Sequence, residues 1–157
     1  MIKATLCFVF RENPQPEILL GYKKRGFGVG KYGGFGGKLQ QGETLAQAAM
    51  RELHEEAGLT VLPGALIPLG ALTFVFPFKP EWDQEVHLFI AQAWSGLPVE
   101  SDEMRPLWFT VDDLPLSQMW DDTRFWMPYV LQRQLIRATF ILNSDNETVK
   151  EYSIQLL

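Results

Sequence analysis

Three glutamates, Glu52, Glu55 and Glu56, fall within one short segment, GGKLQQGETLAQAAMRELHEEAGL, from Gly36 to Leu59. At about 100° per residue, these positions of a helix project within one arc. Ala46, Ala49, Met50, Leu53 and Ala57 make a separate apolar stripe. The helix is expected to carry one wet, anionic face and one buried face. Crowded acids destabilise a lone helix by roughly a few tenths of a kcal/mol per i,i+4 pair, so the cluster needs a compensating cation. Oxygen-only ligands point to Mg²⁺ or Mn²⁺, held behind a glycine-rich loop where it can grip a phosphate chain.

The elements that position this cluster are legible on both sides of it. From Gly26 to Gly37, seven of twelve residues are glycine, which suits a backbone that approaches a ligand closely and leaves little room for regular structure. Glu43 to Ala57 reads as a helix with Glu43 in its first turn and Gly58 as its C-terminal cap. TLCFVF and ILLGYKK, joined by RENPQPE, predict an opening hairpin. IPLGALTFVFPF, EVHLFIAQAW, LWFTV and ETVKEYSIQLL predict four further strands. TRFWMPYVLQRQLIRATF predicts a second helix starting near Pro128, since proline suits a first turn. Strands with two separated helices imply an α+β fold, a mixed β-sheet sandwiched between helices.

Composition narrows the function classes. A chain of 157 residues is expected to form one domain, 1–157, that buries roughly two thirds of its unfolded surface. Hydrophobic residues at 46% and charged residues at 21% match a globular protein and argue against disorder or a membrane protein. The apolar run in MIKATLCFVF is too short to span a bilayer and lacks a cleavage signal, so it reads as a strand. A net charge of −5 and a pI near 5.0 disfavour a nucleic-acid polymer as partner, though not a nucleotide whose phosphates meet a metal and a few lysines. The lone Cys7 cannot form an internal disulfide and is expected as a buried thiol in a reducing compartment, the cytoplasm. No oligomer signal is present, so a monomer is the default.

Gly37, Glu43 and the run Arg51-Glu52-Leu53-His54-Glu55-Glu56-Ala57-Gly58-Leu59 match the Nudix box, G-x5-E-x7-R-E-U-x-E-E-x-G-U, at all nine constrained positions. The chain therefore resembles the Nudix hydrolases. That resemblance implies a loop–helix–loop unit in which Glu52, Glu55, Glu56 and a backbone carbonyl, with Gly36 as the candidate donor, hold Mg²⁺. Arg51 either orients the acids or makes a structural salt bridge within the loop, and both readings stay open.

The flanks carry a narrower likeness. GYKKRGFGVGKYGGFGGK, PVESDEMRPLWF, and the MW and FWMP elements resemble the oxidised purine nucleoside triphosphatases, the MutT homologues. The likeness implies Glu103 as an additional catalytic or metal-binding acid, Trp120 as the stacking surface for the base, and Asp122 at the base edge. It also implies Phe27, Phe74, Phe76 and Trp126 as pocket walls, with Thr5 and Lys23 near the nucleoside and phosphates. Two positions depart from the pattern: Gly33 replaces an asparagine on the pocket floor, and Thr123 replaces a second aspartate. The implied activity is hydrolysis of an oxidised purine nucleoside triphosphate, such as 8-oxo-dGTP or 2-hydroxy-dATP, to the monophosphate and pyrophosphate. A methylated purine triphosphate, a dinucleoside polyphosphate, a nucleotide sugar, or a non-hydrolytic nucleotide sensor remain alternatives.

Overall fold

The structure, a computed structural model, describes residues 1–157. Strands β1 (Ile2–Glu12), β2 (Pro16–Lys23) and the two-residue β3 (Tyr32–Gly33) precede helix α1 (Leu45–Ala57). Strands β4 (Leu66–Val75), β5 (Gln84–Ala91) and β6 (Met104–Thr110) follow, then helix α2 (Thr123–Leu131) and strands β7 (Ile136–Leu142) and β8 (Val149–Leu156). All eight strands join one sheet of order β3-β2-β1-β5-β4-β7-β8, with β6 paired to β2. The sheet is mixed, because β1 runs parallel to β5 and β4 parallel to β7 while the other pairs are antiparallel.

Alternation along the strands loads both faces of this sheet. On one face Cys7, Val9, Leu19, Phe89 and Ala91 pack against Ala49, Leu53 and Ala57 of α1. On the other, Phe8, Ile18, Leu20, Leu88, Ile90 and Phe140 pack against Trp126, Met127 and Val130 of α2. The mixed sheet between helices expected from sequence is thus present, and the opening hairpin is made by β1 and β2. Cys7 is fully buried, and burial pushes its thiol up to about 12. No helix is long and apolar enough to cross a membrane.

Three expectations need correction. Glu43 lies outside α1, because Thr44 is the cap: its hydroxyl accepts the Gln47 N–H at 3.1 Å, and the Gln47 side chain accepts the Thr44 N–H at 2.9 Å. Helix α2 begins at Thr123, and Pro128 sits inside it rather than in its first turn. The proline removes one intrahelical hydrogen bond, which burial of Trp126, Met127 and Val130 outweighs. Finally, IRATF, the end of the segment read as holding the second helix, belongs to strand β7, whose residues are alternately buried and more open.

Gly70 shows how tightly the sheet is drawn. The β4 register shifts between Pro68 and Gly70, where φ is 102°, and a Cβ there would lie 1.8 Å from the Ile136 carbonyl oxygen. Gly70→Ala is expected to lower stability by roughly 3 kcal/mol, from strain plus the forced separation of β4 and β7. Urea denaturation measures this, and a loss under about 1 kcal/mol would show that the strands part without resistance.

Candidate functional site

The acidic cluster is placed by the packing of α1. Burying Ala49, Leu53 and Ala57 on the sheet rotates Glu56 inward until it is only 4% exposed, and leaves Glu52 largely covered and Glu55 open to solvent. The face expected to be wet is therefore graded from buried to exposed. Gly58, in the left-handed conformation at φ 74°, ends the helix by donating its N–H to the His54 carbonyl at 2.9 Å.

Facing the helix, the glycine-rich segment lies along β1. Backbone bonds join Cys7 N–H to Phe35 O, Phe35 N–H to Cys7 O, Thr5 N–H to Gly37 O and Leu39 N–H to Lys3 O. A Cβ on Gly36 would lie 1.8 Å from the Thr5 carbonyl oxygen, and one on Gly37 would lie 2.5 Å from a Glu52 carboxylate oxygen. Glycine is thus required at Gly36 by the backbone of β1, while a side chain at Gly37 would displace the Glu52 carboxylate. Gly36 donates its N–H to Glu56 Oε1 at 2.9 Å, and its carbonyl oxygen takes no partner from the protein.

Arg51 does both things that the sequence left open. Its guanidinium forks onto Glu43, Nε to Oε2 at 2.6 Å and Nη2 to Oε1 at 3.1 Å. It also donates from Nη1 to Glu52 at 2.9 Å and to Glu55 at 3.3 Å, and from Nη2 to the Lys38 carbonyl at 3.3 Å. The Arg51 bond holds the Glu43 carboxyl below the usual range, and the Glu43 bond raises the guanidinium in turn. Glu52, by contrast, is raised by burial despite its Arg51 bond. Glu56 is pushed up to about 8, first by burial and next by the charge of Glu52, against the opposing Gly36 N–H and Lys23.

Glu52, Glu55, Glu56, Glu103, Arg51 and Gly36 line one cleft. No three carboxylates in it converge on a common point; the Arg51 guanidinium lies against Glu52 and Glu55, and Lys23 Nζ stands 3.3 Å from Glu103. The donor set nevertheless fits a divalent cation. Every side-chain donor is a carboxylate, the Gly36 carbonyl is free, and burial raises both Glu52 and Glu56, a penalty on their charged forms that a cation would relieve.

A second cavity of about 430 Å³ opens on the α2 side of the glycine segment. Thr5, Lys23, Phe27, Phe74, Phe76, Trp120, Asp122 and Trp126 all line it. Phe27 stacks on Trp120 with ring centroids 5.1 Å apart and planes 21° from parallel. Asp122 stands at the start of α2 without capping it; its carboxylate instead accepts the Trp126 indole N–H at 2.7 Å. Burial pushes the Asp122 carboxyl up to about 6 against that hydrogen bond. Trp126 is itself buried against Phe8, so it acts as a support for Asp122 more than as an open wall.

Sequence reasoning missed several lining residues. Lys31 places its ammonium 4.8 Å from the Trp120 ring, and Gln84, Met119 and Asn146 complete the wall, while Trp82 packs edge-on behind the lining rings of Phe27 and Phe76. An apolar–polar alternation could have marked Gln84; Asn146 sits in a polar turn that reads only as a turn. Lys23, Gly36, Gly37, Lys38 and Glu56 line both the cavity and the acidic cleft, so the two form one continuous site.

An acidic helix behind a glycine loop, set on a mixed sheet, defines a phosphate-directed hydrolase class. Residues 2–130 match the NUDIX domain, and the chain belongs to the Nudix hydrolase family, whose members generally use divalent metal ions. It is 54% identical over 124 residues to the oxidized purine nucleoside triphosphate hydrolase of Danio rerio, covering 79% of this chain and 78% of that one. The Mus musculus protein of the same name is 44% identical over 142 residues, covering 90% and 88%. A crystal structure of a mutator MutT protein from Bacillus halodurans superposes with a TM-score of 0.83 at 25% identity, covering 99% of this chain and 98% of that one.

The raised Asp122 carboxyl has a stability signature. Its folded value of about 6 exceeds the ordinary 3.8, so between these values the folded chain binds more protons than the unfolded one. Stability from this group is fully present below the lower value and falls as pH rises through the window, by up to about 3 kcal/mol. Asp122→Asn should remove this dependence. Urea unfolding of both chains from pH 4 to 7 checks it: the wild-type stability should fall relative to the variant as pH rises, and a constant difference would mean that ionising Asp122 costs nothing.

Proposed function

We propose that the chain hydrolyses an oxidised or otherwise modified purine nucleoside triphosphate to the monophosphate and pyrophosphate, with Mg²⁺ as the metal and Mn²⁺ as its substitute. The continuity of the aromatic cavity with the acidic cleft carries this reading. A base on Trp120 would send its phosphates past Lys23 and Lys38, which line both spaces, toward Glu52, Glu55, Glu56 and Glu103. The names of the zebrafish and mouse relatives support the same substrate class.

In this mechanism Trp120 offers its π face and Asp122 its free carboxylate oxygen, while Trp126 holds the other oxygen. Phe27, now stacked on Trp120, must move aside for the base, and it sits between Gly26 and Gly28, both at positive φ. Glu52, Glu55, Glu56 and Glu103, with the Gly36 carbonyl, would hold the metal, and Arg51 would keep Glu52 and Glu55 aimed at it. A bound divalent ion neutralises phosphate charge and makes water more acidic. Gly36 N–H orients Glu56, leaving its second oxygen available to take a proton.

A second reading is favoured by Gly33, where an added Cβ would meet nothing within 4 Å. That open floor suits a bulkier base, such as a methylated purine triphosphate. The same proposal takes residues 1–157 as a single Nudix domain, supported by the one sheet that joins both cores, acting as a monomer. It places the enzyme at a cytoplasmic nucleotide pool, supported by the lone reduced Cys7.

With Mg²⁺, kcat/KM for 8-oxo-dGTP or 2-hydroxy-dATP is expected to exceed that for dGTP and dATP by about tenfold or more. Equal rates on damaged and ordinary bases would overturn the proposed role in clearing damaged nucleotides from the pool and leave the hydrolase intact. Glu56→Gln should lower turnover by at least about a hundredfold and reduce the Mg²⁺-induced rise in Tm, without lowering the metal-free Tm. Unchanged turnover in that variant would instead revive a role as nucleotide sensor.

A further inference from the structure

Only two buried side-chain oxygen or nitrogen atoms in the chain lack a hydrogen-bond partner, Thr5 Oγ1 and Asn146 Oδ1. Both residues line the aromatic cavity. Leaving such an atom unpaired in a folded core costs about 1 to 3 kcal/mol, so two of them in one cavity mark a surface that awaits a polar ligand. Thr5 was already expected from the sequence; Asn146 was not.

Asn146 is held in place by the turn between β7 and β8. Asn143 N–H bonds to Thr148 O at 2.8 Å, and Asn146 N–H to Asn143 O at 3.0 Å. Asp145 accepts from the backbone of Glu147 and Thr148, both at 2.9 Å, and from the Thr148 hydroxyl at 2.7 Å. Asn143 donates its amide to the same hydroxyl at 3.0 Å. The turn is then tied to the Trp120–Asp122 loop by Asp121, which accepts the Val149 N–H at 2.8 Å. Apart from the Asn146 backbone N–H, these contacts use its neighbours, and none uses its side-chain carboxamide. Its backbone is left-handed at φ 57°, a conformation that explains a glycine or asparagine there but not an amide buried without a partner.

We propose that the Asn146 carboxamide is a specificity-determining group that hydrogen-bonds the edge of the bound purine. A carboxamide carries a donor beside an acceptor and can pair with an adjacent acceptor and donor on a purine, and a half-turn of the group reverses that order. Gly33 offers no side chain at the β3 end of the sheet, and Asn146 supplies an amide from the β7–β8 turn at the other end. The base is thus read from the flank shared with Asp122. This inference rests on the purine triphosphate reading given above.

Asn146→Gly keeps the left-handed backbone and deletes the amide; Asn146→Asp keeps the shape and removes the donor. Steady-state kinetics with 8-oxo-dGTP, 2-hydroxy-dATP, dGTP and dATP, with dCTP as a base too small to span the cavity, separate the outcomes. In both variants KM for the preferred purine should rise between about fivefold and about a hundredfold, with kcat and the dCTP values moving less than about threefold. Tm should shift by less than about 3 °C for the glycine variant, which separates recognition from a structural role in the turn. Purine KM values equal to wild type in both variants, or equal losses on purines and on dCTP, would overturn the inference while leaving the purine reading in place. A wild-type enzyme that prefers no purine over dCTP would overturn the purine reading and this inference together.

Discussion

The structure turns on a carboxylate that cannot be both buried and comfortable. Helix α1 must press Ala49, Leu53 and Ala57 onto the sheet, and with about 3.6 residues per turn this carries Glu56 into the seam between helix and glycine loop. There it is shielded from water and flanked by Glu52 and Glu103, and one N–H from Gly36 compensates only in part. Moving Glu56 out would expose the apolar side of the helix. Filling the seam with a side chain is opposed as well, because a Cβ at Gly36 would strike the Thr5 backbone and one at Gly37 would displace the Glu52 carboxylate. The strain of packing acids together is therefore built into the fold, and a divalent cation among them is the simplest relief.

That constraint also decides what lies next door. The glycine segment is pinned to β1 by four backbone bonds, so its two sides become walls of two different spaces. One side faces the acids of α1; the other faces the aromatic cavity on the α2 side. Lys23, Lys38 and Glu56 reach into both, and a ligand with an aromatic end and a polyanionic end matches that layout without any rearrangement of the sheet. The helices on opposite faces thus divide the labour: α1 brings the acids, and α2 opens from the Trp120–Asp122 loop that lines the aromatic cavity.

How much of this was legible in the sequence follows from how local each signal is. Helix α1 was readable because its periodicity, the Gly58 cap and the acid spacing all lie within one stretch of chain. Its start was misread by two positions because Glu43 looks like a first-turn acid, whereas its carboxylate serves Arg51 eight residues on. Strand β7 escaped because the run from Trp126 to Phe140 has no glycine or proline after Pro128 to separate a helix from a strand, and only its pairing with β4 and β8 makes a strand of the second half. The Lys23–Glu103 pair joins residues 80 apart and depends on β2–β6 register, which no local pattern encodes. Trp120 and Asp122 were legible through family likeness, but the bond that turns Trp126 into a support for Asp122 was not.

Specificity at the base end then depends on how few polar atoms are left free. Trp126 occupies one Asp122 oxygen from within the core, where its ring packs on Phe8, so the carboxylate cannot swing without breaking a buried hydrogen bond. A single oriented oxygen is a sharper reader than a mobile carboxylate, because a base that offers the wrong edge leaves it unpaired rather than letting it turn to water. The missing side chain at Gly33 removes a competing contact on the far flank. Under the proposed base reading, discrimination would be concentrated on the flank formed by Asp122 and the β7–β8 turn, and a substituent on the opposite flank of the base would meet open space. A pocket that worked this way would be strict about one edge of a purine and permissive about the other, which would reconcile a rigid core with a modified substrate.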